Sequence, residues 1–215
     1  MTTALTLYNG ALRELGERKL ASLSENTEPR RVLDDVYAAG LKYCLEKGHW
    51  KFAQRASKLS YTPSYTAPFG YSRQFVKPSD LVKVSKVCQD EYFNTPLLQY
   101  SDEGGFWFAD LDDIYISYVS NDSAYGLDLT MWPETFVLFV ERYLATRILT
   151  RLKQNRTDLA DMLKLTKDAR LDALSKDAMA GPTTFLPTGS WVGSRGGGGG
   201  NGGRRDRGGR GGLIG

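Results

Sequence analysis

With 215 residues, 41% of them apolar, and 23 glycines, the chain fits one domain or one domain with an extension. Fifteen of those glycines follow residue 180, together with five arginines and one acid, so the +3 net charge divides into a +4 arm and a body with 23 basic and 24 acidic residues. A body so near neutrality is a poor candidate for a nucleic-acid face, which needs clustered cations, and two cysteines do not make a disulfide scaffold.

Residues 3–15 read as a short helix, because Leu5, Tyr8, Leu12 and Leu15 recur at spacings of three and four and Gly16 supplies a stop. Met1 to Leu15 lacks a basic segment leading into a long apolar run, so no signal peptide is expected. No apolar run approaches the roughly 20 residues that span a bilayer, and the expected place of synthesis and assembly is the cytoplasm. A polar loop leads to a second helix over 28–47, with Thr27 as N-cap and Glu28 and Pro29 in its first turn. Leu33, Val36, Tyr37, Leu41, Cys44 and Leu45 form its apolar stripe, and Gly48 ends it.

The pattern then changes to strands, all within 50–120. Trp50–Tyr61 alternates in part, and Tyr71–Val76, Leu81–Cys88, Gly105–Ala109 and Ile114–Val119 are rich in aromatic and β-branched residues. Pro63 and Pro68 flank a loop, while Pro78-Ser79-Asp80 and Gly104-Gly105 mark turns. Spacing this short predicts an antiparallel meander. Helix returns over 133–153, opened by Pro133 and Glu134 and apolar almost all round, from Phe136 to Leu149; such a helix is buried in the body or at a subunit interface. Asn155 caps a fourth helix over 156–180. Leu159, Met162, Leu163, Thr166, Ala173 and Leu174 form its inner stripe, and Gly181-Pro182 ends it. The expected fold is α+β: a bundle of about four helices with a small antiparallel β-sheet inserted between helix 2 and helix 3. Residues 1–180 form this body, and 181–215 form a Gly/Arg-rich extended arm that cannot build a core of its own.

Chemistry-bearing groups are few. His49 is the single histidine, so with Cys44 and Cys88 it is the whole supply of ordinary zinc ligands, and no metal, cofactor or catalytic residue is expected. Both cysteines read as buried thiols, with a disulfide between them left open. Asp102-Glu103 and Asp110-Leu111-Asp112-Asp113 could supply a carboxylate pair of the kind that cleaves cell-wall glycans. Acids at turns, however, more often only form the turn, and no calcium-loop spacing is present. The run Gly196–Gly200 lacks the Gly-Lys-Ser/Thr ending of a phosphate loop.

Three places carry a resemblance. The first is Leu15-Gly16-Glu17 followed by Leu20-Ala21-Ser22-Leu23 and a long helix. The second is the exit of that helix, Glu46-Lys47-Gly48-His49-Trp50-Lys51-Phe52. The third is Phe75-Val76-Lys77-Pro78-Ser79-Asp80-Leu81-Val82-Lys83-Val84, and the return to helix at Trp132-Pro133 fits the same order. In this order the chain resembles the head–tail adaptor of short-tailed bacteriophages, the tail tubular protein A family, over most of residues 1–150. The resemblance implies a non-enzymatic virion protein assembled in the host cytoplasm: a subunit of a twelve-fold homo-oligomeric ring. It also implies that the ring docks on the portal, offers a platform to the tail nozzle, and continues the channel through which double-stranded DNA leaves without sequence-specific binding. No membrane partner is implied.

The Gly/Arg arm departs from that pattern. Isolated aromatics are the usual anchors of an extended peptide, so Phe185 and Trp191 are candidate partner-binding residues. Arg195, Arg204, Arg205, Arg207 and Arg210 are candidates for charge-assisted hydrogen bonds to a neighbour or the portal. The alternative is a nucleic-acid-binding protein acting through that arginine–glycine arm.

Overall fold

The computed structural model describes residues 2–63, 70–152 and 156–181. By internal contacts the chain divides into Met1–Ala180 and Gly181–Gly215, and the description below is of the first unit. Its elements in order are α1 (Ala4–Glu14), α2 (Glu28–Glu46), a short 3-10 turn (Lys51–Ala53), β1 (Gln54–Ser60), β2 (Arg73–Val76), β3 (Leu81–Cys88), β4 (Ser101–Glu103), β5 (Phe106–Ala109), β6 (Asp113–Ser120), α3 (Glu134–Leu152) and α4 (Arg156–Met179). The α+β class and the placing of the strands between the second and third helices match the sequence reading.

Local chemistry explains where the helices begin and end. Thr3 and Thr6 cap α1 reciprocally, each side chain accepting the other's backbone N–H. At the other end Gly16 takes φ 68°; its N–H donates to Arg13 O at 3.0 Å, and Glu17 N–H donates to Leu12 O at 2.9 Å. That pair of bonds is a Schellman motif, which favours glycine at this position. The following segment is clamped to the same helix, because the Asn9 side chain accepts from Leu20 N–H at 2.8 Å and donates to Leu20 O at 3.2 Å. Helix α2 has Pro29 in its first turn, but Thr27 caps it without a side-chain hydrogen bond, and Thr27 Oγ1 is buried without a partner. At its exit the Trp50 indole folds back and donates to Cys44 O at 3.1 Å. Gly48 permits this, since a Cβ there would lie 2.6 Å from the Trp50 ring and 2.8 Å from Leu174.

Six antiparallel strands form two three-stranded sheets rather than one meander, in the orders β1-β6-β3 and β2-β5-β4. Strand β6 takes a middle position and pairs with β1 from Gln54↔Val119 to Ser60↔Asp113 and with β3 across two register shifts. Antiparallel sheets commonly leave one face to solvent, but β6 contributes to a core on each of its faces. Ile114, Ile116 and Tyr118 enter a core between the two sheets, with Phe75 and Trp107, whereas Val119 enters the helical core. The polar β4, beside β5, is an added strand that composition does not announce.

The helical core holds Leu7, Leu12, Leu33, Leu45, Trp50 and most of α3. Phe136 is edge-on to both Trp50 and Trp132, with ring centroids 4.7 and 4.8 Å away. Helix α3 is buried within its own body, so that choice is settled for Phe136, Val137, Phe139, Val140, Leu144, Ile148 and Leu149. Trp107 and Tyr118 are likewise core. On α4 one expected core residue is not: Leu163 is 54% exposed, and the buried positions are Met162, Thr166, Ala169 and Ala173. Asn155, expected as the cap of α4, lies outside the described residues.

Candidate interaction surfaces

The groups with catalytic potential are each occupied structurally. His49 is exposed, with Nδ1 2.9 Å from Ser85 Oγ, and burial of its surroundings together with Lys83 lowers its pKa. Cys44 and Cys88 are buried and free, not bonded to each other, and burial pushes both thiols up. Asp110 accepts from the backbone and hydroxyl of Ser72, both at 2.8 Å, and these bonds hold it below the usual carboxylate range. Asp113 is held down by Ser60 and then Lys58, and Asp112 is ion-paired with Arg73. For Asp102, burial acts upward, but hydrogen bonds from Lys77 and the Trp107 indole outweigh it. These carboxyls are thus stabilised as ions and serve turns and strand ends. Among the described residues no group of three or more His, Cys, Asp or Glu is placed to hold a metal ion, and no helix is long and apolar enough to cross a membrane.

Asp80, in the turn before β3, ties together β1, β6 and the start of β3 within one sheet. Its carboxylate accepts from Ser120 Oγ at 2.6 Å, Arg55 Nη1 at 2.9 Å and Tyr118 OH at 3.1 Å. Its backbone carbonyl accepts from Asn121 N–H at 2.9 Å.

A groove of about 740 Å³ opens between α2, α3 and α4 and carries surplus chemistry. Its walls carry Tyr43 and Tyr143, stacked at 4.5 Å and 12° between planes. Leu159 and Leu163 supply apolar surface, and Arg147, Lys167 and Arg170 supply charge. Lys167 and Arg170 share a face of α4 by their three-residue spacing. None of the three cations forms an ion pair or hydrogen bond among the described residues, and no carboxylate lines the groove there. Sequence reasoning missed this patch. The signal was present in the cations of 147, 167 and 170, but they come from two helices whose pairing only the fold reveals.

All seven arm residues expected to bind a partner (Phe185, Trp191, Arg195, Arg204, Arg205, Arg207 and Arg210) lie outside the described residues, as does the run Gly196–Gly200. No protein-family model and no curated protein matches the chain.

Proposed function

We propose that the chain is a structural subunit of a phage head–tail adaptor ring, seated between portal and tail nozzle and continuing the channel for outgoing DNA. The observation that carries the reading is the order of three motifs, each of which falls at a junction of the fold. Leu15-Gly16-Glu17 is the stop of α1, Gly48-His49-Trp50 is the locked exit of α2, and Pro78-Ser79-Asp80 is the turn whose acid ties the strands together. Residues with such roles would be shared by proteins built on one fold. The ion-paired and hydrogen-bonded state of the acid clusters favours a structural over a hydrolytic role. A ring subunit also needs two unlike faces on every copy, and the cationic groove of the helices is unlike the acid-bearing turns of the strands.

Electron microscopy of the full chain mixed with its portal tests the proposal. Ring-shaped or portal-bound particles are expected, and their absence would remove the reading. The +4 charge after residue 180 favours one competing reading, nucleic-acid binding through the arm. That reading requires binding that weakens steeply with salt and is lost on truncation at Gly181. Binding that is indifferent to salt, or that survives truncation, rejects it.

A further inference from the structure

The ring reading requires two complementary surfaces on one chain, and a specific pair is present. The first is the α2–α3–α4 groove, with three cations unpaired among the described residues and Leu163 open to solvent. The second is the loop from Gln89 to Tyr100, which joins β3 to β4. It carries two carboxylates, Asp90 and Glu91, and no cation. It holds two large apolar side chains out in solvent, Tyr92 at 74% and Leu98 at 85% exposure.

This loop is internally braced. The Asp90 carboxylate accepts from Thr95 N–H at 2.7 Å and Asn94 N–H at 3.0 Å. Gln89 N–H donates to Thr95 O at 3.0 Å, and Leu97 N–H donates to Val87 O at 2.9 Å. Phe93 completes the turn in the left-handed region at φ 57°. A braced loop gives up little conformational freedom on docking, which is what makes an exposed apolar tip useful for binding. Glu91 is exposed and forms no hydrogen bond or ion pair among the described residues; the cation that feels its charge, Lys58, is already ion-paired with Asp113 at 2.9 Å, so the Glu91 carboxylate can still face a partner's cations.

We propose that the 89–100 loop of one copy docks in the α2–α3–α4 groove of the next. Tyr92 sits against Leu163, and the Glu91 carboxylate faces Arg147, Lys167 and Arg170. The groove's volume is within the range of roughly 300–1,000 Å³ that accommodates a compact ligand, enough for one aromatic tip. Within a copy the groove is lined by α2, α3 and α4 alone, so the loop does not fill its own groove. The two surfaces are unlike, so the contact is head-to-tail, the kind that builds a ring when the rotation between copies closes. A single-stranded nucleic acid fits the groove less well. Binding there would use base stacking, but the Tyr43 ring already has Tyr143 stacked on it and the Lys47 ammonium 4.3 Å from its centroid.

Sedimentation velocity of the full chain over a range of concentrations and salt tests the contact. Wild type is expected to self-associate reversibly, less so as salt rises. Arg170→Glu and Glu91→Arg should each weaken association by about tenfold or more, and the double variant should recover most of it, since opposite charges again face each other. Of the two substituted positions Glu91 is exposed and Arg170 half-buried, and unchanged melting curves would confirm intact folding. A wild type that stays monomeric at every concentration overturns this contact. So does an Arg170→Glu variant that associates like wild type, or one that loses only oligonucleotide or portal binding. Portal-bound particles are scored separately: if they form while the charge cycle shows no coupling, the adaptor reading stands and this contact falls.

Discussion

Replacing Asp80 by Ala removes one carboxylate that three side chains share. Ser120 is fully buried and Tyr118 is 1% exposed, so two hydroxyls lose an ionised acceptor where water cannot replace it. Each such orphan costs about 1–3 kcal/mol. Arg55 adds nothing that can be counted, because its guanidinium is open to solvent and water takes over its partner's place. With the low half of the range for both hydroxyls, the expected loss is about 3 kcal/mol. For a chain of this size that lowers Tm by roughly 6–12 °C.

The pH dependence supplies a second, sharper reading of the same site. Burial alone would raise the Asp80 pKa, but the bonds from Ser120, Arg55 and Tyr118 outweigh it and hold it below the ordinary value. A depressed folded pKa means that this stabilisation is present above the unfolded value, about 3.9, and is lost as pH falls through the folded one. Thermal melts of wild type, Asp80→Ala and Asp80→Asn at pH 7 and at acid pH are the assay. Wild type should exceed Asp80→Asn at pH 7, and the two should converge on acidification, when the aspartate is neutral as well. A loss below about 1 kcal/mol in Asp80→Ala, or a gap between wild type and Asp80→Asn that does not change with pH, would refute the reasoning.

Three further outcomes can be checked by the same melts. Gly126→Ala places a Cβ 1.9 Å from the Ser120 carbonyl oxygen, a backbone atom that cannot swing away, so a loss of about 3 kcal/mol is expected; a near-neutral change would mean that the loop before α3 is free to move. Trp50→Phe removes the indole bond to Cys44 O while keeping an aromatic ring against Phe136, and about 1–2 kcal/mol should be lost, far less than with Trp50→Ala. Glu141 is buried beside Arg13, 3.1 Å away, and burial raises its pKa despite that arginine. A raised acid is most favourable below its unfolded value and progressively less so as pH rises through the folded one. Glu141→Gln should therefore gain on wild type between acid and neutral pH, and an advantage that shrinks over that interval would contradict the assignment.

Much of the fold was legible because its helices are specified locally. Thr3, Gly16, Pro29 and Gly48 lie within a few residues of the ends they set, and the stripe of α2 from Leu33 to Leu45 declares its buried face at a spacing the chain itself displays. Strand pairing is different in kind. Nothing near β6 in the sequence says that it will sit between β1 and β3, because its partners lie 25 or more residues earlier in the chain and are chosen by packing rather than by local pattern. The misplacement of Leu163 has a related cause. On α4 the inward positions are the small Ala169 and Ala173, which let the helix approach closely, and hydrophobicity alone favours the larger leucine. The groove was invisible for the same reason, since Tyr43, Arg147 and Arg170 meet only after three helices have packed.

The position of β6 has a consequence for how the body comes apart. One strand contributes Ile114, Ile116 and Tyr118 to the core between the sheets and Val119 to the helical core, so neither core can melt without stripping a wall from the other. The two should therefore behave as one cooperative foldon. Amide hydrogens along Ile114–Val119 should be the last to exchange with solvent, opening only when the whole body unfolds.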